Sequence, residues 1–274
     1  MPSETDVMTS GSMVDRDRAF QRYVALGDSF TEGLNDGIGV DGRHLGWADR
    51  FAASVDAVYP GLLYANLAVR GKLIKEVVDE QVPAAIDLRP DLVTFAAGVN
   101  DALRRNFDLD ASLENLAIGI EALRRTGATV VVFAFGDPSR RSRVMGTVSQ
   151  RLWEYNAGTR RIAEQFGAVV VDFWGAAVFD DDEFWSRDRL HLSPSGHALA
   201  ARAALATLGL DDETWRTPRA SVSPPTPLVR AAENVAWAGG HFLPWIGRRL
   251  RGVSSGDGVT AKRPRLQPVT PESG

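Results

Sequence analysis

The chain has 274 residues, 44% of them hydrophobic and 24% charged, which suits a globular protein of one sizeable domain with an extension. A net charge of −4 argues against a nucleic-acid partner, which usually meets a basic excess. No cysteine is present, so disulfides, thiolate zinc sites, iron–sulfur clusters and a cysteine nucleophile are excluded.

Residues 1–19 read as a disordered leader, polar and partly acidic, without the apolar core of a secretory signal. No stretch stays uncharged long enough to span a bilayer, and the expected compartment is the cytoplasm. The first strand is the run Tyr23-Val24-Ala25-Leu26, which stops at Gly27-Asp28-Ser29. A buried parallel strand ends this way when it reaches the carboxyl edge of its sheet and turns sharply. Four more apolar runs follow, at 62–67, 91–96, 129–135 and 168–173, each bounded by Gly, Pro or Asp. None alternates cleanly, which predicts strands buried on both faces. Helical patterns fall between and after them, at about 47–58, 72–86, 111–126, 147–166 and 194–208. Strands alternating with helices predict a doubly wound α/β domain over 20–210 with a parallel sheet.

The composition changes after residue 210. Pro218, Pro224, Pro225 and Pro227 mark 211–227 as a linker, and 228–251 shows an amphipathic helical pattern. For that helix, docking on the chain's own domain is expected ahead of contact with a membrane or a partner. Residues 252–274, rich in Gly, Ser, Pro and Lys, read as a disordered tail.

Several strand ends carry polar residues of a chemical kind. Ser29 ends the first strand, Asn66 to Gly71 follow the second, Gly98-Val99-Asn100-Asp101 follow the third, and Asp188-Arg189-Leu190-His191 precede the last helix. A parallel sheet aligns its strand carboxyl ends along one edge, where ligands bind. The set suits acyl transfer. A serine hydroxyl needs an imidazole to take its proton, and His191 can do so. Asp188, one helical turn before it, can orient that ring. The N–H groups of Ser29 and Gly71 and the amide of Asn100 can serve a developing oxyanion.

The blocks GDSFTEG, NLAVRG, GVND and DRLH, in this order, resemble the SGNH hydrolases, also called GDSL-type esterases and lipases. The resemblance covers about residues 22–208. Phe30 stands where the family's name has leucine, a position of packing rather than chemistry. The resemblance implies a flavodoxin-like three-layer α/β/α sandwich with about five parallel strands and no metal or cofactor. It also implies hydrolysis of carboxylic esters, short-chain acyl or acetyl, through an acyl-serine intermediate. Ser29 then matches the nucleophile, His191 the base, Asp188 the orienting acid, and Ser29, Gly71 and Asn100 the oxyanion donors. The expected partner is a small-molecule ester. An acyltransferase on the same triad and a non-catalytic binding module are the alternatives. The α/β-hydrolase route is disfavoured because there is no G-x-S-x-G elbow.

The remaining candidates have plainer readings. His197 reads as a structural residue rather than half of a metal site with His191, and His44 as solvent-facing. Asp28 reads as a turn residue, and Asp180 to Glu183 as a solvated acidic loop without calcium-ligand spacing. Trp47, Trp174 and Trp185 read as core or pocket wall. Arg140, Arg141 and Arg143 follow the fourth strand and read either as a solvated loop or as a preference for an acidic substrate.

Overall fold

The computed structural model describes residues 19–39, 42–140, 145–218, 256 and 258–269. Five parallel strands form the centre of the sheet: β1 (Arg22–Gly27), β2 (Leu63–Asn66), β3 (Leu92–Ala96), β4 (Thr129–Ala134) and β5 (Val169–Asp172). Their spatial order is β5-β4-β3-β1-β2, the flavodoxin-like arrangement, with its switch point between β1 and β3. The helices are α1 (Ser29–Glu32), α2 (Trp47–Val58), α3 (Ile74–Glu76), α4 (Val82–Asp87), α5 (Val99–Ala102), α6 (Leu109–Arg125), α7 (Gly146–Phe166) and α8 (Pro194–Thr207). Helix α2 packs on α8, while α3, α4 and α7 pack on α6, so the sheet lies between two helical layers. No helix among the described residues is long and apolar enough to cross a membrane.

The central strands are buried because their runs are apolar at consecutive positions, whereas β5, at the sheet edge, buries only Val171 fully. Every residue of β3 is buried, as are Tyr23 to Gly27 of β1 and Val130 to Ala134 of β4. Two hydroxyls inside this core pair with each other: Tyr23 Oη lies 2.8 Å from Thr94 Oγ1. Helix α2 presents Trp47, Phe51 and Val55 inward at helical spacing, and all three are fully buried. Burial of each such side chain stabilises the fold by about 1.5–3 kcal/mol.

One helix departs from regularity for a local reason. Pro83 has no N–H to offer the preceding turn, and the chain opens into a π turn over Val77–Gln81 just before it. That turn aims Gln81 at the end of β1. Its amide donates to Gly27 O and its carbonyl accepts from Gly27 N, both at 2.9 Å.

The expected boundaries need correction at the carboxyl end. Residues 263–268 are not a disordered tail: they form β6 (Arg263–Pro268), antiparallel to β2, which makes six strands rather than five. Pro264 and Pro268 fit there because only an edge strand tolerates a missing N–H. The strand is anchored by Lys262, whose side chain is 7% exposed. Its ammonium pairs with Asp49 and donates to the carbonyls of His44 and Leu45. Nor is the start of 211–227 a free linker. Glu213–Arg216 form a 3-10 turn that buries Trp215 against Phe173 and Phe179. Of the leader expected at 1–19, residues 1–18 lie outside the described residues, as does the whole helix expected at 228–251.

Trp215 is 1% exposed and belongs to the domain core. Trp215→Ala is therefore expected to destabilise the protein by about 3–5 kcal/mol in a denaturant titration. A loss below about 1 kcal/mol would show that the turn carries no core packing.

Candidate active site

The site is built around the turn after β1. Gly27 has φ +149, and a side chain there would come within 2.3 Å of Ala96 O, so only glycine fits. Asp28 then caps α1, its carboxylate accepting from Phe30 N at 3.1 Å. Phe30 is packing, as expected. Its ring lies against Trp47, Phe133, Phe135 and Phe173. Asn66 ties the underside of α1 down, donating to Thr31 O at 2.9 Å and to Tyr64 Oη at 2.9 Å.

Ser29, at the start of α1, is half-buried, and its Oγ lies 3.0 Å from His191 Nε2. His191 Nδ1 lies 2.7 Å from Asp188 Oδ2. A carboxylate can only accept, so Nδ1 carries the proton and Nε2 presents its lone pair to the serine. The loop holding these two residues is fixed by Asp188 itself. Its Oδ1 accepts from the N–H groups of Leu190 and His191, both at 2.9 Å, and from Ser186 Oγ at 2.6 Å. Asn35, at φ 72, donates to Asp188 Oδ2 at 2.8 Å. Partial burial alone would raise this carboxyl, but bonds to His191, its backbone and Ser186 hold it well below the usual carboxylate range.

Asn100 sits beside the same turn. Its amide donates to Asp28 Oδ2 at 2.9 Å and to Lys72 O at 3.1 Å. Gly98 just before it has φ +108, and a side chain there would strike the Tyr155 ring at 2.4 Å. Burial pushes the Asp28 carboxyl up to about 6, and that of Asp101 likewise to about 6. Asp28 thus holds the turn, as expected, and in addition orients Asn100. Gly71 lies in the loop after β2. Neither its N–H nor that of Ser29 meets a hydrogen-bond partner among the described residues. The structure thus joins Ser29, His191 and Asp188 in one chain of hydrogen bonds and sets Asn100 against Asp28.

The other candidates resolve by their contacts. His197 is structural: Trp47 N donates to its Nδ1 at 3.2 Å, and its Nε2 faces Leu34 O at 3.3 Å. Both ring nitrogens are used, which leaves none for a metal shared with His191. Among the described residues, no group of three or more His, Asp or Glu side chains could hold a metal ion. His44 is half-buried with Nδ1 3.2 Å from Asp36 O, rather than facing solvent. Arg140 pairs with Asp180 at 2.7 Å, whereas Arg141 and Arg143 lie outside the described residues. Trp47 is core, and Trp185 donates to Phe179 O at 2.8 Å. Sequence reasoning passed over Gln81, Asn35 and Glu32, which contact the turn, the Asp188 loop and the loop before Gly71 respectively.

Residues 25–199 match the GDSL-like Lipase/Acylhydrolase family. The chain belongs to that family, the one its four blocks resemble, and is a serine carboxylic-ester hydrolase. A similar protein is an acetylxylan esterase of Geobacillus stearothermophilus, 24% identical over 220 residues, 70% of this chain and 95% of the relative. The solved structure of that organism's acetylxylan esterase superposes with a TM-score of 0.58 at 20% identity, over 73% of this chain and 97% of the other. An α/β hydrolase enzyme from the metagenome of Lake Arreo, Spain, superposes with a TM-score of 0.60 at 23% identity, over 69% and 95% of the two chains.

His197 provides a pH test of the packing behind the site. Burial pushes its imidazole down from 6.5 to about 4, so the folded protein keeps it neutral where the unfolded chain protonates it. Its contribution is fully present above pH 6.5 and is lost as pH falls from there towards 4. Asp28 and Asp101, raised in the fold, act in the opposite sense over the same range. The comparison is therefore with His197→Gln. The melting-temperature advantage of wild type is expected to shrink between about pH 7 and about pH 5. A constant difference would contradict a neutral buried imidazole.

Proposed function

We propose that Ser29 is the nucleophile, His191 the general base and Asp188 the acid that orients it, in the hydrolysis of short-chain acyl esters, acetyl esters above all. The observation that carries this reading is the continuous line Asp188 Oδ2–His191 Nδ1, 2.7 Å, and His191 Nε2–Ser29 Oγ, 3.0 Å. In this mechanism His191 Nε2 takes the hydroxyl proton as Ser29 Oγ adds to the ester carbonyl. Asp188, held as a carboxylate, stabilises the imidazolium that results. The carbonyl oxygen becomes an oxyanion and is met by the N–H groups of Ser29 and Gly71 and the amide of Asn100. Collapse breaks the carbonyl–oxygen bond of the ester, and His191 returns the proton to the departing alcohol. Water, deprotonated by the same imidazole, then releases the acid and restores Ser29.

Two free N–H donors among the described residues support the oxyanion assignment. Asn100 shares its amide with Asp28 and Lys72 O in the resting site, so it serves the oxyanion by turning part of that amide towards it. The acetyl preference is supported by likeness to the acetylxylan esterase. Catalytic mutants of that enzyme replace a serine, an aspartate and, three positions after the aspartate, a histidine. The same residue types and spacing recur here as Ser29, Asp188 and His191. Family membership favours water as the acceptor over a second alcohol, and favours an enzyme over a silent scaffold.

A series of p-nitrophenyl esters tests this directly. kcat/KM is expected to be highest for acetate and to fall with acyl length, and Ser29→Ala is expected to lose about 10³-fold or more in kcat. Full activity in Ser29→Ala would remove the nucleophile from this proposal.

A further inference from the structure

Glu32 closes α1 three residues after Ser29 and is 6% exposed, an unusual degree of burial for a carboxylate. Its partner is the residue just before Gly71. Glu32 Oε2 accepts from the Arg70 backbone N–H at 2.8 Å, and its two oxygens accept from Arg70 Nε at 2.9 and 3.0 Å. Arg70 Nη2 completes the pair. One carboxylate therefore grips both the main chain and the guanidinium of Arg70.

The loop carrying Gly71 has two further ties, one to the nucleophile turn and one to Asn100. Val69 N donates to Gly27 O at 3.2 Å, and Lys72 O accepts from the Asn100 amide at 3.1 Å. Glu32 is the charged tie among these, and it acts on the residue adjoining the unpartnered Gly71 N–H. A bidentate arginine–carboxylate bond fixes direction as well as distance. A buried pair of this kind contributes little stability relative to apolar packing. Its geometric role is the stronger reason for placing a carboxylate here.

We propose that Glu32 is a positioning residue, which through Arg70 fixes the Gly71 N–H relative to Ser29 so that it meets the oxyanion as it forms. The inference rests on the assignment of Ser29 as nucleophile and Gly71 as oxyanion donor. A donor that acts only on the oxyanion changes transition-state binding and leaves ground-state binding alone. Displacing a catalytic group by about 1 Å can cost on the order of 10²-fold in rate.

The test is the kinetics of Glu32→Ala and Glu32→Gln on p-nitrophenyl acetate, with circular dichroism to confirm folding. Glu32→Ala is expected to lower kcat about 10²-fold with KM within about twofold. Glu32→Gln, which keeps an acceptor for the Arg70 N–H, is expected to recover most of that loss. Inhibition by a phenylboronate, which forms a tetrahedral adduct, is expected to weaken in parallel with kcat. If Glu32→Ala fails to fold, Arg70→Lys supplies the reading: the fork is lost, the charge is kept, and kcat is expected to fall severalfold at unchanged KM. Wild-type kcat in the folded variants, or a change in KM alone, would overturn the proposal. Ser29→Ala separates the two layers. If it is inactive while Glu32→Ala has wild-type kcat, only the positioning role fails; if it is active, the catalytic assignment fails beneath it.

Discussion

The reversal of the chain at Gly27 is the constraint on which the site depends. A strand buried on both faces must leave the sheet within one residue, and at φ +149 with Ala96 O 2.3 Å from any side chain, only glycine can do so. The turn brings Ser29 to the carboxyl edge and ends the ladder at Gly27, the last residue of β1 paired with β3. Gln81 secures that end, bonding both Gly27 N and Gly27 O from the π turn of the neighbouring helix. A defect in one helix thus completes the end of a strand.

Polar groups crowd this edge, and the cost of burying them is met by pairing. Asp28 is 4% exposed, Glu32 6%, Asn66 0% and Asn100 8%, and each makes at least two hydrogen bonds or a hydrogen bond and an ion pair. A buried network of this sort adds rigidity once all its members are satisfied. Rigidity is what an oxyanion site needs, since its donors must stand in place before charge develops. The two aspartates illustrate how environment divides the work. Asp28, desolvated, rises to about 6, whereas Asp188, ringed by donors, stays ionised far below that. Asp188 is therefore the one suited to face an imidazolium.

The strands and the polar residues at their ends were legible because their causes are local. Apolar runs punctuated by glycine, and polar side chains just past them, mark strand ends at any sheet edge. Helix α2 falls at the expected 47–58 for the same reason, its Trp47, Phe51 and Val55 spaced for one face. What stayed hidden depends on distant partners. Nothing near Glu32 signals a bond to Arg70, 38 positions away, and Gln81 gains its role only through the π turn. Strand β6 is the clearest case. Two prolines and two arginines among six residues suit a mobile tail, and a strand forms there because β2 offers an open edge and Asp49 a charge for Lys262. Trp215 was misplaced similarly, since prolines further along suggested a linker before the core had ended.

If Ser29 is the nucleophile, the ester's acyl group passes through its Oγ. Acid-quenched turnover of p-nitrophenyl acetate, followed by peptide mapping in a mass spectrometer, tests it most directly. An acetyl group is expected on the peptide containing Ser29, accumulating in the first turnover and absent from Ser29→Ala. Turnover without any acylated peptide, or an acyl group carried by another residue, would contradict it.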